Sequence, residues 1–399
     1  MVPGGLLSYG VSMRWQKPTI PFNRPYATGR EFEYIRQAIE SGHISGDGEF
    51  SRKCQSLLEE ILGCRRALLT TSCTDALEMT ALLLNIQPGD EVIVPSLTFV
   101  SGVNAYVLRG AKIVFSDIRP DTLNLDETRL EALITPRTRA IVVVHYAGVG
   151  CEMESILATA ARHGVPVVED NAHGLFGKYR GRHLGTFGAL ATLSFHETKN
   201  ISCGEGGALL LNDDSYVERA EILREKGTDR SRFFRGLVDK YTWVDVGSSF
   251  LPSDVLAAFL YAQLEARESI QAARGRVWTF YNDRLRDWAE ANGIRRPHVP
   301  ADREQPHHMF YLILPAPESR DALIAHLKSR GAMAVFHYVP LHLSAMGLQR
   351  GGYAGQCPIT EDLSRRLIRL PFYNGLEEAD QARVVNAVLE FPVSAEVAK

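Results

Sequence analysis

The segment Ser194-Phe195-His196-Glu197-Thr198-Lys199-Asn200 closes an apolar run with a lysine, and Gly204-Glu205-Gly206-Gly207 follows it. A lysine amine attacks a carbonyl only when neutral, which requires a partly desolvated site that lowers its pKa from about 10.4. A loop between buried strands supplies such a site, and lysine is scarce in this chain. Loop lysines are usually exposed, so this segment by itself leaves both readings open. His196-Glu197 does not open a zinc-protease helix, because Asn200 stands where His-Glu-x-x-His needs its second histidine.

Three further segments carry compatible chemistry. Val167-Val168-Glu169-Asp170-Asn171-Ala172-His173 is an apolar run ending in two carboxylates and a histidine. A carboxylate such as Asp170 facing the ring nitrogen of pyridoxal phosphate would keep that nitrogen protonated and the ring a stronger electron sink. Taken alone, an Asp in this position more often caps a turn. In Thr70-Thr71-Ser72-Cys73-Thr74-Asp75-Ala76-Leu77, hydroxyls lead into a helix whose first N–H groups could bind a phosphate, while Ser72 or Thr74 could also be a plain N-cap. Pro95-Ser96-Leu97-Thr98-Phe99 carries an aromatic ring that could stack on a flat ligand or pack in the core. No dinucleotide fingerprint, phosphate-binding P-loop, Gly-x-Ser-x-Gly elbow or zinc-spaced cluster competes with these segments.

Each segment needs a strand to place it. Short apolar runs at 67–69, 91–94, 112–115, 140–144, 165–168, 190–195 and 208–211 are predicted strands, and amphipathic stretches at 75–84, 126–134 and 152–163 are predicted helices. Such alternation predicts an α/β fold with a mostly parallel sheet covered on both faces, and all four segments fall at or just past strand carboxyl ends, where such sheets bind ligands. An earlier helix is expected near Thr28, which has capping-box spacing to Glu31. A long helical region at 253–291 leads out of the sheet. Beyond it, strands at 309–314 and 333–336 and helices at 320–330, 360–369 and 377–389 predict a small α+β domain. The expected division is an N-terminal arm at 1–18, a large domain at 19–265 and a small domain at 266–399.

With 399 residues, 45% hydrophobic, 23% charged and a formal net charge of −3, the chain can bury two cores, and its charge gives no sign of nucleic-acid binding. No apolar run reaches the roughly 18 residues of a membrane span, and the start lacks a leader pattern, so a cytoplasmic protein is expected. The cysteines form no Cys-x-x-Cys pair, and no metal site is expected.

Taken in order, Ser-x-Thr-Asp-Ala-Leu, the aromatic after Pro-Ser-x-Thr, Glu-Asp-x-Ala-His and Ser-Phe-His-x-x-Lys resemble the fold-type-I pyridoxal-phosphate enzymes. Among these, residues 20–391 are similar to the DegT/StrS group of nucleotide-sugar aminotransferases. The resemblance implies that Lys199 forms the Schiff base with pyridoxal 5'-phosphate and moves the proton, and that Asp170 pairs with the pyridinium. It further implies that His173 sits beside the ring, that Phe99 stacks on it, and that Ser194, Cys73 and Thr74 hold the phosphate. Most members present an asparagine from a partner subunit to that phosphate, and Ser249 stands there in Gly247-Ser248-Ser249-Phe250-Leu251. A homodimer with interfacial sites is therefore implied, and His337, Tyr338 and His342 are implied substrate contacts. Segments 72–84, 86–94, 144–153, 221–227, 230–236 and 333–342 are similar to the branch that passes nitrogen from glutamate to C4 of a dTDP-4-keto-6-deoxy sugar, giving dTDP-4-amino-4,6-dideoxygalactose. The segment 201–204 is one residue shorter than in that branch. Amination at C3 or a gluco-configured product is the nearest alternative, and a non-catalytic sugar-nucleotide-binding regulator is a further one. The dehydratase branch, which has histidine in place of the lysine, is disfavoured by Lys199.

Overall fold

In the computed structural model, which describes residues 19–393, seven strands form one sheet. They are β1 (Arg66–Thr70), β2 (Glu91–Pro95), β3 (Lys112–Ser116), β4 (Thr138–Val144), β5 (Val167–Asp170), β8 (Leu190–Ser194) and β9 (Gly207–Leu211), with the short hairpin strands β6 (Lys178–Tyr179) and β7 (Arg182–His183) between β5 and β8 in sequence. Their spatial order is β1-β9-β8-β5-β4-β2-β3, and β9 alone runs against the others. The mostly parallel sheet was predicted, and its continuous apolar strands have the expected cause: both faces are covered. Alternate residues Val92, Val142, Val168 and Leu209 join one buried cluster, while Ile93, Ile141, Val143 and Val167 join another under Met153 and Ile156. The expected arm at 1–18 lies outside the described residues.

Helices α1 (Glu31–Glu40), α2 (Glu49–Leu62) and α3 (Cys73–Leu83) precede or follow β1. The capping-box expectation at Thr28 is met in part. Glu31 accepts the Thr28 and Gly29 N–H groups at 2.7 and 2.8 Å, but it is the first helical residue and Arg30 is the cap. The carboxylate is drawn back to those amides and to the Gln263 amide instead. Helix α2 escaped sequence reading, although Phe50, Cys54, Leu58 and Leu62 recur at helical spacing and all are buried.

A second cluster brings together Val277 and Tyr281 of the helix Arg267–Arg284, Leu323, Leu327, Val384, Val388 and the apolar face of a three-stranded sheet. That sheet has the order β11-β13-β12, from β11 (Tyr311–Ile313), β12 (Val335–Phe336) and β13 (Leu367–Arg369); β10 (Arg303–Glu304) pairs instead with β6. Ile20 belongs to this second cluster and bridges Ala332, although its place in the sequence grouped it with the large domain. Strand β13 corrects the helix expected over 360–369, which stops at Arg366. Leu367 leaves the helix to pair with β11, and Ile368 and Arg369 pair with both β11 and β12, a tertiary gain that local propensity does not record.

Candidate active site

The carboxyl ends of β1, β2, β5 and β8 face the small sheet across a cavity of about 460 Å³, within the range of small-molecule sites. Strand alternation sends the two carboxylates of β5 to opposite sides. Glu169 is fully buried and accepts the N–H groups of Gly185, Phe187 and Gly188 at 2.8, 2.6 and 2.7 Å. His145 adds an Nε2–H bond at 2.8 Å, its Nδ1 accepting the Cys151 N–H, so this carboxylate is satisfied within the chain. Asp170 lines the cavity instead. One of its oxygens accepts the Ala172 N–H at 3.1 Å, and the other has no partner among the described residues. Burial pushes the Asp170 carboxyl above its ordinary value, opposed by that N–H and by Lys199.

Lys199 follows β8 on a turn closed by its own N–H to His196 O at 2.9 Å and by Glu197 N–H to Gly204 O at 2.8 Å. Its side chain lines the cavity with no hydrogen-bond partner among the described residues. Burial pushes the amine below its ordinary value; Cys73 and Asp170 oppose this, and Arg369 adds to it. The next residue, Asn200, anchors the turn by donating to Pro306 O at 2.6 Å and bonding His308 Nδ1 at 2.9 Å.

Beside the lysine, α3 begins. Ser72 is its N-cap and accepts the Asp75 N–H at 3.0 Å, which leaves the Cys73 and Thr74 N–H groups without intrahelical partners. Ser72, Cys73, Thr74 and Ser194 all line the cavity, so capping and anion binding coexist in this turn. Thr74 Oγ1 donates to Ser101 at 2.9 Å, and burial raises the Cys73 thiol to about 12.

His173 is buried, with its ring stacked on His308 at 4.4 Å and its Nδ1 without a partner. His337 bonds Tyr146 OH through Nδ1 at 2.8 Å. Burial holds His173, His308 and His337 well below the ordinary histidine value, with help from the positive charge of Lys199 and Arg369. At the mouth, Phe99 is 58% exposed, and its ring centroid lies 6.2 Å from that of Tyr338.

The structure thus gathers Cys73, Thr74, Phe99, Asp170, His173, Ser194, Lys199, His337 and Tyr338 around one cavity. His342 is corrected: it does not line the cavity. It is fully buried between Ser96 Oγ at 2.6 Å and Glu361 Oε1 at 2.9 Å, so both ring nitrogens are committed to bracing the chain. Ser249 also lies outside its own chain's cavity, exposed in a bridge to Glu225. His308 and Arg369 were missed. The signal for Arg369 was a lone charge inside the apolar run Leu367-Ile368-Arg369-Leu370-Pro371.

Residues 25–389 match the DegT/DnrJ/EryC1/StrS aminotransferase family. The chain belongs to this family. It is similar to DesV of S. venezuelae, solved in complex with a ketimine intermediate, at 31% identity and a TM-score of 0.84 over 96% of this chain and 99% of that one. It is also similar to a family aminotransferase from Brucella abortus (30%, TM-score 0.81, 90% and 94% covered) and to the aminotransferase TlmJ from Streptoalloteichus hindustanus (29%, 0.85, 92% and 97%). The protein is therefore an aminotransferase of the fold-type-I class, and pyridoxal phosphate is the cofactor of its family.

The residues present fit that cofactor. The Lys199 amine and one Asp170 oxygen line the cavity without hydrogen-bond partners among the described residues, the His173 Nδ1 is buried there without one, and a helix N-terminus offers free N–H groups to an anion. At Gly207 an added Cβ would lie 2.4 Å from Cys73 N, so the bare backbone lets the loop after Lys199 pass that helix end. Among the described residues no helix is long and apolar enough to cross a membrane.

Proposed function

We propose that this aminotransferase moves an amino group from glutamate to C4 of a dTDP-4-keto-6-deoxy sugar, giving dTDP-4-amino-4,6-dideoxygalactose. We propose further that it does so as a homodimer with a large domain at 19–265 and a small domain at 266–399. The observation that carries the reaction is the buried, unpartnered Lys199 amine in one cavity with the Asp170 carboxylate and the start of α3. The sugar rests on the likeness of segments 72–84, 144–153 and 333–342 to the C4, galacto-forming branch. Ser249, exposed and away from its own chain's cavity, suits a residue presented to a partner subunit's site.

Bound pyridoxal phosphate supplies an aldehyde for the amine and a ring that accepts the electron pair left when a carbon loses its proton. The chain does the rest. Cys73 and Thr74 N–H with Ser194 would hold the phosphate, and Asp170 would pair with the ring nitrogen and keep it protonated. Phe99 and His173, which line the same cavity, would pack against the ring. Lys199 Nζ, whose pKa burial lowers, would take the proton from the amine-bearing carbon of the donor and later deliver one to the sugar carbon. The neutral histidines around it add no competing acid.

Absorbance of the protein loaded with pyridoxal phosphate tests this reading. Added L-glutamate should remove the pyridoxal band, and dTDP-4-keto-6-deoxyglucose should restore it, with NMR of the product fixing the configuration at C4. Loss of the band without its return would reject this sugar and keep the aminotransferase.

A further inference from the structure

Arg369 is the last residue of β13, the central strand of the small sheet, and is paired with Tyr311 on one side and Val335 on the other. Ile368 and Leu370 on either side of it point into the second core, so strand alternation fixes Arg369 toward the cavity that it lines. Its guanidinium lies over the Phe22 ring with Cζ 4.6 Å from the centroid, a contact that uses the flat face and leaves the N–H edge free. No carboxylate pairs with it among the described residues, and its Nε is buried without a hydrogen-bond partner. Of the residues outside those described, 1–18 contain no Asp or Glu, and 394–399 contain one, Glu396.

A buried guanidinium without a counter-charge is costly, and a fold that holds one on a rigid strand at a ligand cavity is built to receive an anion. The reaction brings three anionic groups to the cavity: the cofactor phosphate, the carboxylates of the amino donor, and the diphosphate of the proposed sugar nucleotide, which hangs from C1, across the sugar ring from the C4 that must reach Lys199. The cofactor phosphate has its own site at the start of α3 and at Ser194, on elements of the large sheet. Arg369 comes from the opposite wall, and its charge acts on Lys199, His173, His308 and His337. We propose that Arg369 binds a carboxylate of the amino-acid donor, its two-pronged N–H edge matching the two oxygens and orienting the donor amine toward Lys199. This rests on the aminotransferase reading of the cavity and names the residue that selects its donor.

The test uses the protein loaded with pyridoxal phosphate and the variants Arg369→Gln and Arg369→Lys. Glutarate, a dicarboxylate with no amine to react, is titrated by calorimetry, and the glutamate and keto-sugar half-reactions are timed separately. Arg369→Gln should weaken glutarate at least about 10-fold and raise the KM for glutamate similarly, leaving the KM for the sugar within twofold. Arg369→Lys should recover part of the affinity, and it carries the test alone if Arg369→Gln does not fold. Unchanged glutarate affinity, or a defect confined to the sugar half-reaction, would overturn the assignment. A wild-type protein that binds glutarate through Arg369 yet is not converted by glutamate would fault the donor named above and leave this carboxylate site standing.

Discussion

The two walls of the cavity place their charges by different means. On the wall made by the large sheet, Asp170 ends a strand and Lys199 lies on the loop after one, each next to a neighbour that holds the backbone still. On the wall made by the small sheet, Arg369 comes from a central strand, and His337 is tied through its ring to Tyr146. Strand ends can change their side chains without disturbing pairing, so they suit groups that take part in bond making. Arg369 ends its strand as Asp170 does, each with a paired strand on either side, so the contrast lies with Lys199, whose loop position leaves its backbone outside the ladder. Even within one strand the contrast repeats: Glu169 has three backbone donors and a histidine, while its neighbour Asp170 keeps one oxygen free.

The hardest blow to the large-sheet wall is Lys199→Ala, which should lower turnover by at least about 10⁴-fold while the urea midpoint stays near wild type. Turnover retained in steady-state assays would remove the lysine from the chemistry. Asp170→Asn should slow the reaction about 10²–10³-fold with cofactor still bound, as judged by absorbance, since a neutral amide cannot hold the ring nitrogen protonated. The paired variant Glu169→Gln sharpens the contrast. An amide cannot accept at every position that the carboxylate does, so it should cost about 3 kcal/mol in urea unfolding of the cofactor-free protein, with cofactor absorbance preserved after reloading. Equal rate losses in both variants would erase the distinction between the two carboxylates.

The smallest effect concerns the histidines. His173, His308 and His337 are held well below the ordinary value near 6.5, so as pH falls through 6.5 the unfolded chain takes up protons that the folded chain does not. Stability then drops with falling pH by up to about 1.4 kcal/mol per pH unit for each such ring, and it is fully present above about 6.5. His308→Gln should flatten the slope by about one ring's share, measured by urea unfolding of the cofactor-free protein at several pH values between 5 and 7.5. An unchanged slope would mean that His308 is protonated in the fold.

The same contrast decided what could be read from the sequence. The large-sheet wall was legible because each of its groups sits in a short run where an apolar strand meets polar residues, as in Glu169-Asp170 or Ser194 to Lys199. The small-sheet wall draws on His308, His337, Tyr338 and Arg369, which come from three separate segments and meet only when those segments pair. Arg369 was lost because β13 is three residues long and continues the apolar pattern of the helix before it. His342 misled for the converse reason: it lies in a segment for which the resemblance implied substrate contacts, yet its ring turns inward to Ser96 and Glu361. Helix α2 was missed although Phe50, Cys54, Leu58 and Leu62 recur at helical spacing.

Strand β9 runs against its neighbours, so its first residue, Gly207, lies level with Thr70 at the end of β1 and with Ser194 at the end of β8. The chain that carries Lys199 therefore has no helix to cross before it re-enters the sheet; it turns over at the rim and descends at once. Both ends of that turn are zipped into the same ladder, Phe195 N–H bonding Gly206 O at 2.8 Å. The lysine rides on a short leash, and freeing it would mean unzipping the interior of the sheet. The hydrogen-bonded amides of Phe195, Glu197, Lys199 and Cys203 should accordingly exchange more slowly than the other amides of the loop 195–206.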